Sequence, residues 1–131
     1  MSRTEARELL MQMIFQMEAQ NDPSTKKMAS LLNGRKISER DRRYIIDTFD
    51  IMREHLEEID RMIDEYSPKR NVKRIPKADL AILRLAICEG KYCDDIPAAV
   101  AINEAVNMAK KYGEENTAPF INGVAGKILN D

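Results

Sequence analysis

The sequence is poor in several residue types, and each shortage excludes a class of protein. Its 131 residues include no Trp, two Cys, one His, five Gly and five Pro. So few Gly and Pro do not suit the many turns of an all-β fold or a glycine-rich phosphate-binding loop. The Cys and His residues are too few to complete a zinc site. With a net charge of -1, the protein as a whole does not attract a polyanion electrostatically. An anionic partner must therefore bind at a local basic patch.

Long apolar runs are also missing. No segment has the length needed to span a bilayer, and residues 1–7 carry charges of both signs where a signal peptide would be apolar. We therefore expect a cytoplasmic protein that makes no use of a membrane. Cys88 and Cys93 are expected to be packed or idle thiols, because five residues along a continuing helix would place them on different faces.

Catalytic motifs are scarce as well. The chain has neither a dinucleotide-binding glycine fingerprint nor a phosphate loop that ends in Gly-Lys-Ser or Gly-Lys-Thr. His55 stands beside Glu54 and Glu58, and nothing supplies the nucleophile and orienting group that a catalytic histidine needs. The sequence therefore predicts a protein that is not an enzyme and has no catalytic residue, cofactor or metal.

The apolar spacing that the chain does contain is typical of helices. A first helix is predicted from about Arg3 to Gln20, where apolar residues recur at three- and four-residue intervals. Ser24 can cap a short second helix that ends at Asn33-Gly34. Ser38, with Asp41 three residues later, predicts the start of one long helix that continues to Tyr66.

The second half of the chain predicts three more helices. Residues 69–76 form a basic connector, which is the candidate boundary between an N-terminal lobe of about 1–67 and a C-terminal lobe of about 76–131. The next helix begins near Ala78, another opens at Pro97 and ends at Gly113, and Thr117 can cap the last. We therefore predict one all-α domain over residues 1–131, a bundle of about six or seven helices in two lobes.

Basic residues are clustered at two places in the sequence. Arg35, Lys36, Arg40, Arg42 and Arg43 surround the start of the long helix, and Lys69, Arg70, Lys73, Arg74 and Lys77 lie in the connector. Either cluster can neutralise phosphates, but composition alone favours solvated surface, since neither is interleaved with stacking aromatics. Arg3 and Arg7 lie four residues apart on what we expect to be the exposed side of the first helix.

An ordered set of segments resembles the NusB family of bacterial transcription antitermination factors. In the second half the segments are Ala81–Ala86, Asp95–Pro97, Ala101–Val106, Ala109–Gly113 and Phe120–Val124. In the first helix the matching residues are Arg3, Ala6, Arg7, Glu8 and Phe15. The resemblance therefore covers nearly the whole chain. The signature residues Asn103 and Glu104 also suit a scaffold role, in which they pair with Arg84 or with backbone groups.

The resemblance implies a non-catalytic role in transcription. NusB-like proteins bind the boxA element of nascent RNA together with NusE, a small-subunit ribosomal protein, and help the elongation complex read through ribosomal RNA operons. Family members occur as monomers and as homodimers, and the sequence leaves this choice open. Carried over by position, the RNA-contacting residues are Arg3, Arg7, Phe15, Asn116 and Phe120, and the residue that faces NusE is Asp79.

Two departures from the family pattern affect the expected RNA affinity. Thr4 and Glu5 stand where many relatives carry further arginines, and Ser67–Arg70 replaces a connector tryptophan. Whether the basic connector from Lys69 to Lys77 contacts RNA is left open by the sequence. The alternative reading is a helical module that binds only protein.

Overall fold

The computed structural model describes residues 1–22, 29–68 and 71–130, and the regular elements in these ranges are all helical. The α-helices are α1 (Arg3–Gln20), α2 (Glu39–Glu54), α3 (Leu56–Tyr66), α4 (Lys77–Tyr92), α5 (Ala98–Tyr112) and α6 (Thr117–Leu129). Two short 3₁₀ turns cover Ser30–Leu32 and Val72–Arg74. The prediction of an all-α bundle is confirmed, whereas the division into two lobes stays a prediction.

Local hydrogen bonds explain where α1 and α2 begin. The Ser2 hydroxyl accepts from the Glu5 amide at 3.1 Å, and the Glu5 carboxylate accepts from the Ser2 amide at 2.9 Å. The Ser38 hydroxyl likewise accepts from the Asp41 amide at 3.1 Å. Such caps satisfy amides that the first helical turn leaves unpaired. Asn21 ends α1 in the left-handed region at φ 52°, so the predicted bounds of the first helix are confirmed.

The prediction of one long helix from Ser38 to Tyr66 is wrong, because the helix breaks at His55. His55 has φ -107° and ψ 16°, and it separates α2 from α3. Its ring lies 2.9 Å from the Ile51 carbonyl oxygen through Nδ1 and stacks on Tyr92 with centroids 3.9 Å apart. The ring contact with α4 is a tertiary interaction that the helical periodicity of the sequence does not contain.

The remaining boundaries are close to the predicted ones. Gly113 is the C-cap of α5, as predicted, and Pro97 is its N-cap, immediately before the first turn in which it was expected. Thr117 does not cap α6, however, since Asn116 holds that position and Thr117 is the first helical residue. The Thr117 hydroxyl instead accepts a hydrogen bond from the Glu114 amide at 2.9 Å. Most of the predicted second helix, and the Lys69-Arg70 part of the connector, lie outside the described residues.

Helix α4 is the centre of the bundle. It packs against α1, α2, α3, α5 and α6, and every residue from Asp79 to Glu89 is buried. This stretch has no solvated face, so the charged residues within it need partners inside the protein. The charged residues of this stretch are Asp79, Arg84 and Glu89. Their partners on the neighbouring helices therefore affect how those helices pack against α4.

Arg84 joins three helices through one buried guanidinium group. It donates two parallel hydrogen bonds to Asp60 on α3, at 2.9 and 2.8 Å, and a third to Glu18 on α1 at 2.7 Å. Burial opposes the charged form of Arg84, but these hydrogen bonds outweigh it and raise the pKa of Arg84. Of the partners that the sequence offered for Glu104, Arg84 is not used, because Arg84 binds Asp60 and Glu18.

The two cysteines approach each other because α4 ends at Tyr92. The chain turns back there, and Cys93 contacts Cys88 instead of lying on another face of a continuing helix. Both thiols are free, and the Cys88 thiol donates to the Thr48 carbonyl oxygen at 3.7 Å. The interaction between the neighbouring thiols raises the pKa of Cys88 and lowers that of Cys93. Within the described ranges, no group of three or more His, Cys, Asp or Glu residues is arranged to hold a metal ion. The described helices are too short or too polar to cross a bilayer.

Candidate nucleic-acid interface

Arg3 is held at the surface by two residues of α2. Its Nε donates to Asp41 Oδ1 at 3.0 Å, and its guanidinium carbon lies 4.1 Å above the centroid of the Tyr44 ring. A cation over an aromatic face is attracted by the negative face of the ring. The Arg3 side chain nevertheless stays 37% exposed, so a fixed cationic group is presented to solvent.

Arg7, one turn further along α1, is buried and not on the exposed side as expected. Its side chain is 6% exposed, and its Nε donates to both Glu89 oxygens at 2.9 and 3.1 Å. Glu104 on α5 lies 3.5 Å from Nη1 of the same guanidinium. The Tyr44 hydroxyl donates to the second Glu89 oxygen at 2.6 Å. The prediction failed because Glu89 supplies a buried countercharge that is 82 residues away in the sequence.

The electrostatics of this group keep its charges fixed. Burial, followed by the negative charge of Glu89, raises the pKa of Tyr44 far above its ordinary value. The phenol therefore stays neutral and donates its proton to Glu89. For Arg7, burial opposes the charged form, but the hydrogen bond and charge of Glu89 raise its pKa overall. Arg7, Tyr44 and Glu89 thus form one network of hydrogen bonds and an ion pair, and Arg3 lies over the Tyr44 ring.

A second candidate surface lies where α5 ends and α6 begins. Here a cleft of about 470 Å³ is lined by Asp79, Tyr112, Asn116, Thr117 and Phe120, among others; we name it the Phe120 cleft. Asp79 is 8% exposed and accepts from the Thr117 hydroxyl at 3.3 Å. Phe120 is half-buried and Tyr112 is exposed, so two aromatic rings line one cleft. Aromatic rings that are accessible in a cleft are suited to stack on unpaired bases.

Glu8 connects the Phe120 cleft to the first helix. Its carboxylate accepts from Lys111 Nζ at 2.9 Å and from the Tyr112 hydroxyl at 3.0 Å. The hydrogen bond to Glu8 raises the pKa of Lys111, whose side chain remains well exposed. Tyr112 therefore lines the Phe120 cleft and also contacts Glu8 on α1. Through this contact, α1 and α5 connect the surface at Arg3 with the surface at Phe120.

The structure brings some of the predicted site residues together and separates others. Asn116, Phe120 and Asp79 line the same cleft, so the residues expected to meet RNA and NusE are neighbours. Arg3 lies in a different cleft, beside Tyr44. Phe15 is half-buried against the hydrophobic core and lines neither of these clefts. Twelve residues of helix place Phe15 about 18 Å from Arg3 along α1.

Sequence reasoning missed Tyr44, Tyr112 and Glu89 as members of the site. One signal was available for Glu89, since a carboxylate on an otherwise apolar helical face requires a buried partner. Tyr44 and Tyr112 had no comparable signal, because their spacing alone is that of ordinary inward-facing helix residues.

The NusB family model matches residues 4–130. Two similar relatives are the transcription antitermination protein NusB of Acetivibrio thermocellus and that of Alkaliphilus oremlandii. The first is 44% identical over 129 residues, which cover 98% of this chain and 89% of the relative. The second is 43% identical over 129 residues, which cover 98% of this chain and 94% of the relative.

Solved structures show the same fold. T. maritima NusB superposes with a TM-score of 0.92 at 28% identity, over 100% of this chain and 92% of that one. A crystal structure of the antitermination factors NusB and NusE in complex with double-stranded RNA contains a chain with a TM-score of 0.87. That chain is 20% identical, and the match covers 99% of this chain and 98% of that chain. At this identity the second structure supports the fold alone.

Burial of Arg7 predicts a stability effect for its removal. Arg7→Ala leaves the Glu89 carboxylate buried without its main countercharge, and breaking such a pair costs about 3–5 kcal/mol. Urea unfolding followed by circular dichroism measures this loss. Arg53→Ala is the matched control, because the exposed pair of Arg53 with Asp50 contributes less than about 1 kcal/mol. Equal losses in the two variants would contradict the buried network.

Proposed function

The chain belongs to the NusB family, and on that premise we propose that it is a transcription antitermination factor that binds boxA RNA together with NusE. In this role it helps the elongation complex read through ribosomal RNA operons in the cytoplasm. The observation that carries the proposal is 44% identity, over 98% of the chain, with a transcription antitermination protein. The role requires binding and positioning, and no residue is assigned to catalysis.

Arg3 is the residue of α1 that we assign to RNA phosphates. It is exposed, and its guanidinium is already oriented by Tyr44 and Asp41, so little side-chain freedom is lost when a phosphate binds. Arg7 stabilises the position of Tyr44 indirectly, because the Tyr44 hydroxyl donates a hydrogen bond to Glu89, which is the ion-pair partner of Arg7. We therefore assign Arg7 to positioning and not to direct contact with RNA.

The Phe120 cleft is the surface that we assign to bases and to NusE. Phe120 and Tyr112 offer ring faces for stacking, and the exposed Asn116 carboxamide both donates and accepts hydrogen bonds at a base edge. Asp79 lies against the same cleft at the start of α4. A basic ribosomal protein would complement its charge, which supports Asp79 as part of the NusE contact. The contact of Phe15 with RNA stays a prediction, and it requires the bound RNA to extend along α1.

Titration of labelled boxA RNA, with and without NusE, tests the proposal. We expect NusE to strengthen RNA binding by the native protein, and Arg3→Gln to weaken it. Loss of one phosphate contact with single-stranded RNA lowers the slope of log K against log salt by about 0.7. Both proteins are therefore titrated over a range of salt concentrations, and the difference between the slopes counts the lost contacts.

Arg53→Gln is the control for this titration, since it removes the same charge from the last turn of α2, whereas Arg3 contacts the first turns of that helix. A native protein that gives no RNA signal with or without NusE would contradict the proposed function and favour a module that binds only protein. An RNA signal whose salt slope is the same for Arg3→Gln and the native protein would remove Arg3 from the interface.

Phe120→Leu separates stacking from packing in the Phe120 cleft. Leucine keeps apolar contact with the core but removes the ring face, and loss of one stacking ring costs about 1–3 kcal/mol of RNA binding. We expect weaker boxA binding with a nearly unchanged Tm. Phe49→Leu is the control, because the fully buried Phe49 ring should affect Tm and leave the affinity of the folded protein unchanged. RNA affinity equal to that of the native protein in Phe120→Leu would rule out stacking.

A further inference from the structure

The basic cluster at the start of α2 has no role in the assignments above. Arg35, Lys36, Arg40 and Arg43 are exposed there, and Arg42 is half-buried. Composition alone predicts that this cluster is solvated surface. The structure adds a second observation, which is the position of two of these arginines relative to Arg3.

Arg40 and Arg43 lie beside Arg3 at one continuous surface. All three line a cleft of about 510 Å³ between α2 and the turn that follows α4. Arg3 and Arg40 also line an adjoining cleft of about 450 Å³ at the start of α2, together with Ser38 and Asp41. Arg3 is therefore the point at which the surface of α1 meets the basic cluster of α2.

Helix α1 itself offers little positive charge to a polyanion. Its only basic residues are Arg3 and Arg7, and Arg7 is buried and paired with Glu89. Thr4 and Glu5 are exposed on the same first turn, and the Ser2 hydrogen bonds lower the pKa of Glu5, which keeps its carboxylate anionic. A strand that crosses this end of the protein meets one cation on α1, and further phosphate contacts must come from a neighbouring element.

We propose that the RNA strand bound at Arg3 continues over the start of α2, where Arg40 and Arg43 contact its phosphates. The inference rests on the proposed function and adds two binding residues to it. Within the described part of the chain, neither Arg40 nor Arg43 takes part in an ion pair, so their charges are available. Exposed arginines next to an oriented one are suited to successive phosphates along a strand.

Acidic residues on the cleft define the side on which the strand passes. Asp47, Asp94 and Asp95 also line the larger cleft. Like charges brought together across an interface are unfavourable, so these carboxylates exclude a phosphate backbone from the cleft interior. We therefore expect the phosphates to lie at Arg40 and Arg43 and not at the carboxylates of the same cleft.

Salt-dependent binding of the double variant Arg40→Gln/Arg43→Gln tests the inference. The probe is a single-stranded boxA RNA with unstructured uridine flanks on both sides, titrated in the presence of NusE. Loss of two phosphate contacts lowers the salt slope by about 1.4. Between about 50 and about 200 mM salt, the native protein should therefore lose about seven-fold more affinity than the double variant.

Arg53→Gln/Arg61→Gln is the matched control, since it removes the same charge from exposed positions at the end of α2 and on α3. Equal slopes in the two double variants would overturn the inference. So would a double variant at Arg40 and Arg43 that binds RNA alone like the native protein but binds NusE less well, because the surface would then belong to a protein partner. If the native protein binds no RNA, the proposed function itself fails, which is a separate outcome.

Discussion

The buried ion pair between Arg7 and Glu89 is the interaction on which the arrangement of this protein depends. Both side chains are almost fully removed from solvent, and each is among the few charged groups that face the core. A buried charge without its partner is costly, so α1 and α4 can pack in this way only when the two residues meet. The pair therefore joins the N-terminal part of α1 to the C-terminal part of the central helix.

A second, partly buried cluster holds the other end of α1. Arg84 on α4 binds Glu18 on α1 and Asp60 on α3, so α1 is attached to α4 near both of its ends. Tyr44 links the buried ion pair to the surface, because its hydroxyl donates a hydrogen bond to Glu89 and the face of its ring contacts Arg3. The position of the exposed arginine is thus determined by charges in the core, and the RNA-binding role that we assign to Arg3 depends on residues that RNA does not reach.

Features encoded by nearby residues could be predicted from the sequence, and features that depend on distant partners could not. Apolar spacing and capping residues gave the bounds of α1 and the start at Ser38, because helix signals act over three or four residues. The His55 ring at the helix break stacks on Tyr92, and the buried Arg7 pairs with Glu89; both partners are far away in the sequence. For the candidate site, the family resemblance named Asn116, but the joint cleft became visible only in the folded chain.

A double-mutant cycle on RNA binding tests most directly whether the Tyr44 ring orients Arg3. BoxA RNA affinity is measured with NusE for the native protein, Arg3→Gln, Tyr44→Leu and the double variant, with circular dichroism to show that each is folded. If the ring acts through Arg3, Tyr44→Leu weakens binding in the native background and has no further effect in Arg3→Gln. The coupling energy should be about 1 kcal/mol. Additive losses in the double variant would contradict the account.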